Sequence, residues 1–228
     1  MTERQKIAVV IPVFNEEKHL DGLIEKICDR TDLAIVVDDG SWDATPTIIN
    51  KWVAASKKVY GLRHCLNLGK GAALKTGCEA AADLGADVII TIDGDGQHPP
   101  HLIEPLLSYF NKKKLDIVFS CRQGGDKMPL IRKLGNKAFN LVSHYMFNLK
   151  VKDIGCGLRA FKAEHLNSIM WNQRGYSGEI QMALKAAKNK LNYGEFLIPT
   201  IYNDNFKGVH MLHGLKTLCQ MLIWRLTL

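Results

Sequence analysis

Two carboxylates and an amide stand at alternate positions in Asp93-Gly94-Asp95-Gly96-Gln97, directly after the apolar run Asp87-Val88-Ile89-Ile90-Thr91-Ile92. Oxygen donors in that pattern at a strand end suit a hard divalent cation such as Mg²⁺ or Mn²⁺. Such ions keep several waters and recruit substrate phosphates through one or two protein carboxylates. A metal-bridged nucleotide is the first expectation. A lone Asp-x-Asp is also common in solvated acidic turns, so the surrounding elements must decide. A calcium-binding EF-hand loop is a sharper rival, because Asp93, Asp95, Gln97 and Glu104 fall at ligand positions of that motif. It fails on geometry. The position that must be glycine is His98, Pro99 and Pro100 follow, and the preceding segment reads as a strand where the motif needs a helix.

Apolar runs that end in polar turns recur along the chain. Ile7 to Val13 leads into Asn15-Glu16-Glu17 and a helical pattern through Leu20, Leu23, Ile24 and Ile27. Leu33 to Val37 ends in Asp38-Asp39-Gly40-Ser41, and Asp43 is placed to cap a helix carrying Ile48, Ile49, Trp52 and Val53. Val59 to Cys65 precedes Gly69-Lys70-Gly71 and an alanine-rich helix over 72–84. A helix opened by Pro99-Pro100 and a strand over 117–121 follow. Alternation of this kind predicts an α/β fold, a single domain whose mostly parallel central sheet is flanked by helices. In such sheets ligands bind beyond the carboxyl ends of the strands. Four motifs converge there: Pro12 to Glu16, Asp38-Asp39, Gly69-Lys70-Gly71 and Asp93 to Gln97.

Two other nucleotide folds are disfavoured. The first turn is Pro-Val-Phe-Asn-Glu rather than the glycine-rich dinucleotide fingerprint, and Gly69-Lys70-Gly71 lacks the upstream glycine and the Ser/Thr of a Walker loop. It remains a backbone-flexible helix opening suited to phosphate or ribose, with Lys70 as its charge.

The chain has 228 residues, 46% of them hydrophobic, enough for one sizeable core. No charged, apolar, small-residue leader opens it, which predicts a cytoplasmic protein. Its six cysteines contain no Cys-x-x-Cys pair, so they read as small buried packing residues without disulfides or zinc. A net charge of +7 and a pI near 9.1 point to anionic partners. Lysines and arginines are spread out with no nucleic-acid motif, so nucleic acid is not expected as a partner. The tight run Lys112-Lys113-Lys114 reads as the solvated last turn of a helix, where cations offset the negative dipole end.

Three motifs, in order, resemble family 2 glycosyltransferases of the GT-A fold: Val9-Val10-Ile11-Pro12-Val13-Phe14-Asn15-Glu16, Val36-Val37-Asp38-Asp39-Gly40-Ser41 and Ile92-Asp93-Gly94-Asp95-Gly96-Gln97-His98. Asp153 to Phe161 and Gly175-Tyr176-Ser177-Gly178-Glu179-Ile180 are most similar to segments of the dolichol-phosphate and polyprenyl-phosphate sugar synthases. The resemblance spans residues 7–205. It implies transfer of a hexose from a nucleotide diphosphate sugar, of the GDP-mannose or UDP-glucose type, to a polyprenyl phosphate with inversion. By that analogy Pro12, Phe14, Glu16, Val37 and Asp39 contact base and ribose, Asp93 lies beside ribose and diphosphate, and Asp95 and Gln97 bind the metal. The ion would offset charge on the departing nucleoside diphosphate.

An acceptor phosphate is already anionic, so it needs positioning more than a general base. Arg122, which follows the fifth strand, and Arg132 and Lys133, opening the helix after Gly124-Gly125, are the candidates, since guanidinium forks bind phosphate. Solvated basic side chains are the alternative. Arg159 is placed to hold either phosphate or a structural carboxylate such as Asp153. Glu179 is either a base, as in relatives with hydroxyl acceptors, or a helix anchor. The far end departs from the synthases: Asn205 to Met211 stands where they close with an arginine and a lysine, and Lys207 is the residue offered in compensation.

Residues 1–210 read as the catalytic domain and 211–228 as an amphipathic helix, with Leu212, Leu215, Leu218, Leu222, Ile223 and Leu226 at helical spacing and Trp224 amphipathic. That stripe suits a peripheral position on the cytoplasmic face of a membrane, core packing, or a homodimer or membrane-protein contact. The competing functions are transfer to a hydroxyl of a glycan or lipid with Glu179 as base, a nucleotidyltransferase, and a silent sugar-nucleotide-binding module.

Overall fold

The computed structural model describes residues 4–123, 130–175, 177–199 and 211–227, and the side chains of all of these except 130–138 and 211–216. The uninterrupted apolar runs at 7–13, 33–38, 88–91 and 117–121 become strands buried on both faces, while the edge strands at 59–63 and 193–198 are partly exposed. β1 (Ile7–Val13), β2 (Leu33–Asp38), β3 (Val59–Arg63), β4 (Val88–Thr91), β5 (Ile117–Arg122), β6 (Arg159–Lys162) and β7 (Tyr193–Ile198) form one sheet in the order β3-β2-β1-β4-β6-β5-β7. Every neighbouring pair is parallel except those made by β6, which runs antiparallel to β4 and to β5. The expected α/β architecture therefore holds, with one reversed strand, β6, fifth in the order.

Helices cover both faces, as parallel strands require. On one side α1 (Leu20–Cys28), α2 (Thr45–Ala55) and α4 (Ile103–Lys112) bring Leu20, Ile24, Ile27, Ile49, Leu106 and Phe110 against Val9, Ile11, Val36 and Ile90. On the other, α3 (Lys70–Asp83), α6 (Leu166–Ile169), α7 (Ser177–Lys188) and α8 (Met211–Thr227) bring Leu74, Cys78, Ile169, Leu184, Met221 and Trp224 against Val10, Ile35, Val37 and Ile89. α5 (Leu130–Phe147) lies beside α7 and α8. Burying one such aliphatic side chain contributes about 2 kcal/mol, so the two layers fix the sheet that carries the turns.

Boundaries differ from the sequence reading by a few residues. The alanine-rich helix starts at Lys70, and Pro100–Leu102 forms a 3-10 turn before α4. β3 stops at Arg63, where the His64 amide donates to the Asp38 carbonyl (2.9 Å). Lys112 ends α4, and the exposed Lys114 takes the left-handed conformation (φ 50°). Cys78, Cys121 and Cys156 are buried, whereas Cys65 and Cys219 are exposed and so depart from the expected packing role. Of the alternatives open for the tail stripe, Trp224 takes core packing: it is 5% exposed. Among the described residues, no helix is long and apolar enough to cross a membrane.

Candidate active site

The turns beyond β1 and β2 brace one another. The Asn15 amide donates to Ser41 Oγ (2.9 Å), the Trp42 amide to Asn15 Oδ1 (3.0 Å), and the Glu16 amide to Thr45 Oγ1 (2.9 Å). Pro12 and Val37 are buried register partners, and half-buried Phe14 meets the Trp42 ring edge to face at 4.9 Å. Asp39, expected at base and ribose, is buried and engaged. Its Oδ1 accepts the Leu68 amide (2.9 Å) and lies 2.8 Å from His64 Nδ1, and its Oδ2 accepts the Gly69 amide (2.8 Å). The structure thus places Asp39 under the turn that presents Lys70.

That turn opens α3 against the 173–175 segment. Gly69 has φ +97°, and a Cβ there would lie 2.7 Å from the Arg174 carbonyl, so glycine is needed for both conformation and space. The adjacent Lys70 reaches inward. Its Nζ is 2.7 Å from Asp93 Oδ1 and 3.0 Å from Glu179 Oε2, joining the third and fourth turns of the sheet to the first turn of α7. Burial alone would lower the Lys70 ammonium, but Asp93 and then Glu179 hold it well above the ordinary lysine range. For Asp93 burial also works against the charged form, and Lys70, His98 and Arg122 together keep its carboxyl below the usual value. The other oxygen of Glu179, Oε1, is buried and has no hydrogen-bond partner among the described residues.

Asp93, Asp95 and His98 each offer a ligand atom, and these atoms lie within 4.8 Å of one another. His98 is buried; its Nδ1 has no hydrogen-bond partner among the described residues and lies 3.8 Å from Asp93 Oδ2, while its Nε2 is 3.5 Å from Cys156 Sγ. An unsatisfied imidazole nitrogen beside two carboxylates fits a divalent ion. The sequence reading had Asp95 and Gln97 as ligands. What the structure shows of Gln97 is its amide donating to Asp95 Oδ1 (3.0 Å), closing the loop on that carboxylate. His98 stands three positions from Asp95 and closes the motif that carries the family resemblance, but the sequence assigned it no ligand role.

The 153–159 segment forms the back of this centre. A Cβ on Gly157 would run into both carboxylate oxygens of Asp93, and the Gly157 carbonyl is held by the Thr91 hydroxyl (2.7 Å). Burial pushes the Cys156 thiol up to about 12, so it faces His98 as a neutral group. Arg159, expected on a phosphate or on a structural carboxylate such as Asp153, is turned onto backbone carbonyls. It is 1% exposed and donates to the carbonyls of Cys156 (3.0 Å), Glu179 (2.6 Å) and Ile154 (2.6 Å), tying β6 to α7. Asp153 takes Arg122 instead: Nε and one terminal nitrogen reach its two oxygens at 2.6 and 3.0 Å. Burial opposes the Arg122 charge, and Asp153 holds it firmly protonated. Of the other residues singled out in the sequence, the side chains of Arg132 and Lys133 lie outside the described residues, as do Tyr176 and Lys207.

Comparison with known proteins gives this centre a context. Residues 8–170 match the sequence profile described as Glycosyl transferase family 2. The chain is 32% identical over 241 aligned positions to UDP-N-acetylglucosamine–dolichyl-phosphate N-acetylglucosaminyltransferase from Methanococcus voltae, with 96% of each chain covered. It is 27% identical to polyprenol monophosphomannose synthase from Mycolicibacterium smegmatis, over 92% of this chain and 82% of that one. Among solved structures, glucosyl-3-phosphoglycerate synthase from Mycobacterium tuberculosis, in complex with Mn²⁺, UDP and phosphoglyceric acid, superposes with a TM-score of 0.69 at 20% identity. That match covers 97% of this chain and 78% of the other, and at such identity it speaks for the fold alone. With the profile spanning most of the chain and a relative matched along nearly its whole length, the protein belongs to the family 2 glycosyltransferases and has the GT-A fold.

Proposed function

We propose that the protein transfers a sugar from a nucleotide diphosphate donor to a polyprenyl phosphate, in a metal-dependent, inverting reaction. One observation carries this reading: Asp93, Asp95 and His98 converge beside a lysine at the carboxyl edge of the sheet. Two relatives named for dolichyl-phosphate or polyprenol acceptors support the acceptor class. Asp93, Asp95 and His98 would hold the ion, whose chemistry is to bind and neutralise the diphosphate as it departs. Of Mg²⁺ and Mn²⁺, the imidazole favours Mn²⁺. Phe14, with Glu16, supplies the rim for base and ribose, while the buried Pro12 and Val37 pack beneath it rather than contacting the nucleotide. Asp39 acts through the Leu68-Gly69 turn, and Lys70 brings a second positive charge to the diphosphate. An acceptor phosphate oxygen attacks the anomeric carbon as the bond to the nucleoside diphosphate breaks and its electron pair leaves with the diphosphate. No proton need be removed from the acceptor.

A second reading rests on Glu179. Its buried Oε1, without a hydrogen-bond partner among the described residues, is where a base for a hydroxyl acceptor would stand, but its other oxygen is committed to Lys70, which favours an anchoring role. The test is incubation with Mn²⁺ or Mg²⁺, a panel of UDP- and GDP-sugars, and either polyprenyl phosphate or a glycan, measuring lipid-linked sugar and nucleotide release. No turnover on polyprenyl phosphate with any donor would overturn the proposal. Glu179→Gln is expected to keep transfer to phosphate within about tenfold of the parent; a loss of about 10³-fold confined to a hydroxyl acceptor would establish the second reading.

A further inference from the structure

α8 is buried along one seam and bare along another. Thr217, Met221 and Trp224 turn into the core, while Cys219, Leu222, Ile223 and Leu226 are exposed at i, i+3, i+4 and i+7, the spacing of a single helical face. Leu222, Ile223 and Leu226 are 57%, 59% and 88% exposed. The neighbouring α5 repeats the arrangement one turn long: Ser143 is buried, and Leu141 and Tyr145 are 55% and 77% exposed. Large apolar side chains grouped on two packed helices exceed the single scattered hydrophobics of an ordinary surface.

Charge identifies what such a surface meets. The chain has 23 acidic residues, yet none falls in 130–147 or 211–227, the spans of α5 and α8. Those spans carry Arg132, Lys133, Lys137, Lys216 and Arg225. The core of a protein interface is depleted of lysine as well as of acids, and a second copy would bring its own cations against these. An apolar stripe with cations and no acids instead matches the boundary of a bilayer carrying anionic headgroups, where the stripe enters the acyl region and the cations stay among the phosphates. α5 also follows β5, whose last residue, Arg122, stands on the side of the site expected to receive the acceptor.

We infer that the exposed faces of α5 and α8 dock the protein on an anionic membrane surface, lying in its plane. The purpose of such docking rests on the lipid-linked acceptor proposed above, whereas its test does not use sugar transfer. The full chain is sedimented with vesicles of phosphatidylcholine alone and of phosphatidylcholine with phosphatidylglycerol. Binding to the anionic vesicles is expected, weakened by salt and by omission of phosphatidylglycerol. The double variant Leu222→Asp/Ile223→Asp should lower that binding at least about tenfold with an unchanged thermal midpoint, because both side chains are exposed. Tyr145→Asp should act in the same direction from α5. Wild-type protein left in the supernatant with anionic vesicles, or a double variant that binds as well as wild type, would overturn the inference. So would a wild-type dimer that the double variant turns into a monomer without vesicle binding, which would make a second copy the occupant. Vesicle binding without sugar transfer would sink the proposed reaction and leave the docking surface standing.

Discussion

In the parallel half of the sheet, β3-β2-β1-β4, the chemical residues stand on turns that directly follow their strands, and backbone amides hold them. Asp39 is fastened by the Leu68 and Gly69 amides, and Asp95 by that of Gln97. In the mixed half, β6-β5-β7, charged side chains are themselves the fasteners: Arg122 closes on Asp153, and Arg159 gathers three carbonyls. The first half offers reactive groups, and the second spends its charges on holding them in place. The two meet at Asp93, between Lys70 from one side and Gly157 from the other. Chemistry at such a seam depends on residues that would never be sought as ligands.

The comparison breaks most sharply at the centre. Asp95→Asn removes one of two carboxylates from the ligand set while leaving its neighbours in place. Metal-dependent turnover should fall by about 10² to 10³-fold, and the Mn²⁺ affinity measured by paramagnetic resonance should fall with it. Unchanged affinity and rate would remove Asp95 from the centre. Gly157→Ala tests the seam from the other half. The Gly157 backbone is pinned by Thr91, so the Asp93 carboxylate must swing aside, away from Lys70 and His98. A displacement of about 1 Å at a reacting centre costs on the order of 10²-fold in rate. Turnover should drop by that amount, with a thermal midpoint lowered by only a few degrees. A variant as active as the parent would show that the mixed half does not position Asp93.

The difference between the halves also explains what the sequence could disclose. Ile7 to Val13 and Leu33 to Val37 are local apolar runs with local turns, so strands, parallel sheet and the Asp93-Asp95 loop were all legible. β6 was not, because Arg159-Ala160-Phe161-Lys162 shows no run or alternation, and its pairing with β4 spans some seventy residues (Val88↔Lys162). The role of Arg159 followed the same rule: three carbonyls carry no side-chain signature in a sequence. Gly157 gave no hint of Asp93, since a glycine chosen for close approach looks like any loop glycine. Burial splits the tail stripe between Trp224 and Leu222, and that partition depends on where α8 sits against the core.

A carboxylate at the opposite edge of the sheet serves as the control. Asp116 precedes β5 and receives Lys162 Nζ (2.7 Å) and the Asn192 amide (2.9 Å), joining β5, β6 and the start of β7 far from Asp93 along the strands. Burial works against its charge, but the Lys162 hydrogen bond and the Asn192 amide hold its carboxyl below the ordinary value. A depressed folded value means that the stabilisation is complete above about pH 4 and is lost as the pH falls through the folded value. Lys162 is over a third exposed, so solvent screening keeps the contribution near 1 kcal/mol. Asp116→Asn should therefore lower the thermal midpoint by about 2–4 °C at neutral pH, flatten its acid-side dependence, and leave turnover unchanged. A loss of turnover beyond that of stability would show that the mixed half transmits strain from its amino edge to Asp93, making the seam a property of the whole sheet.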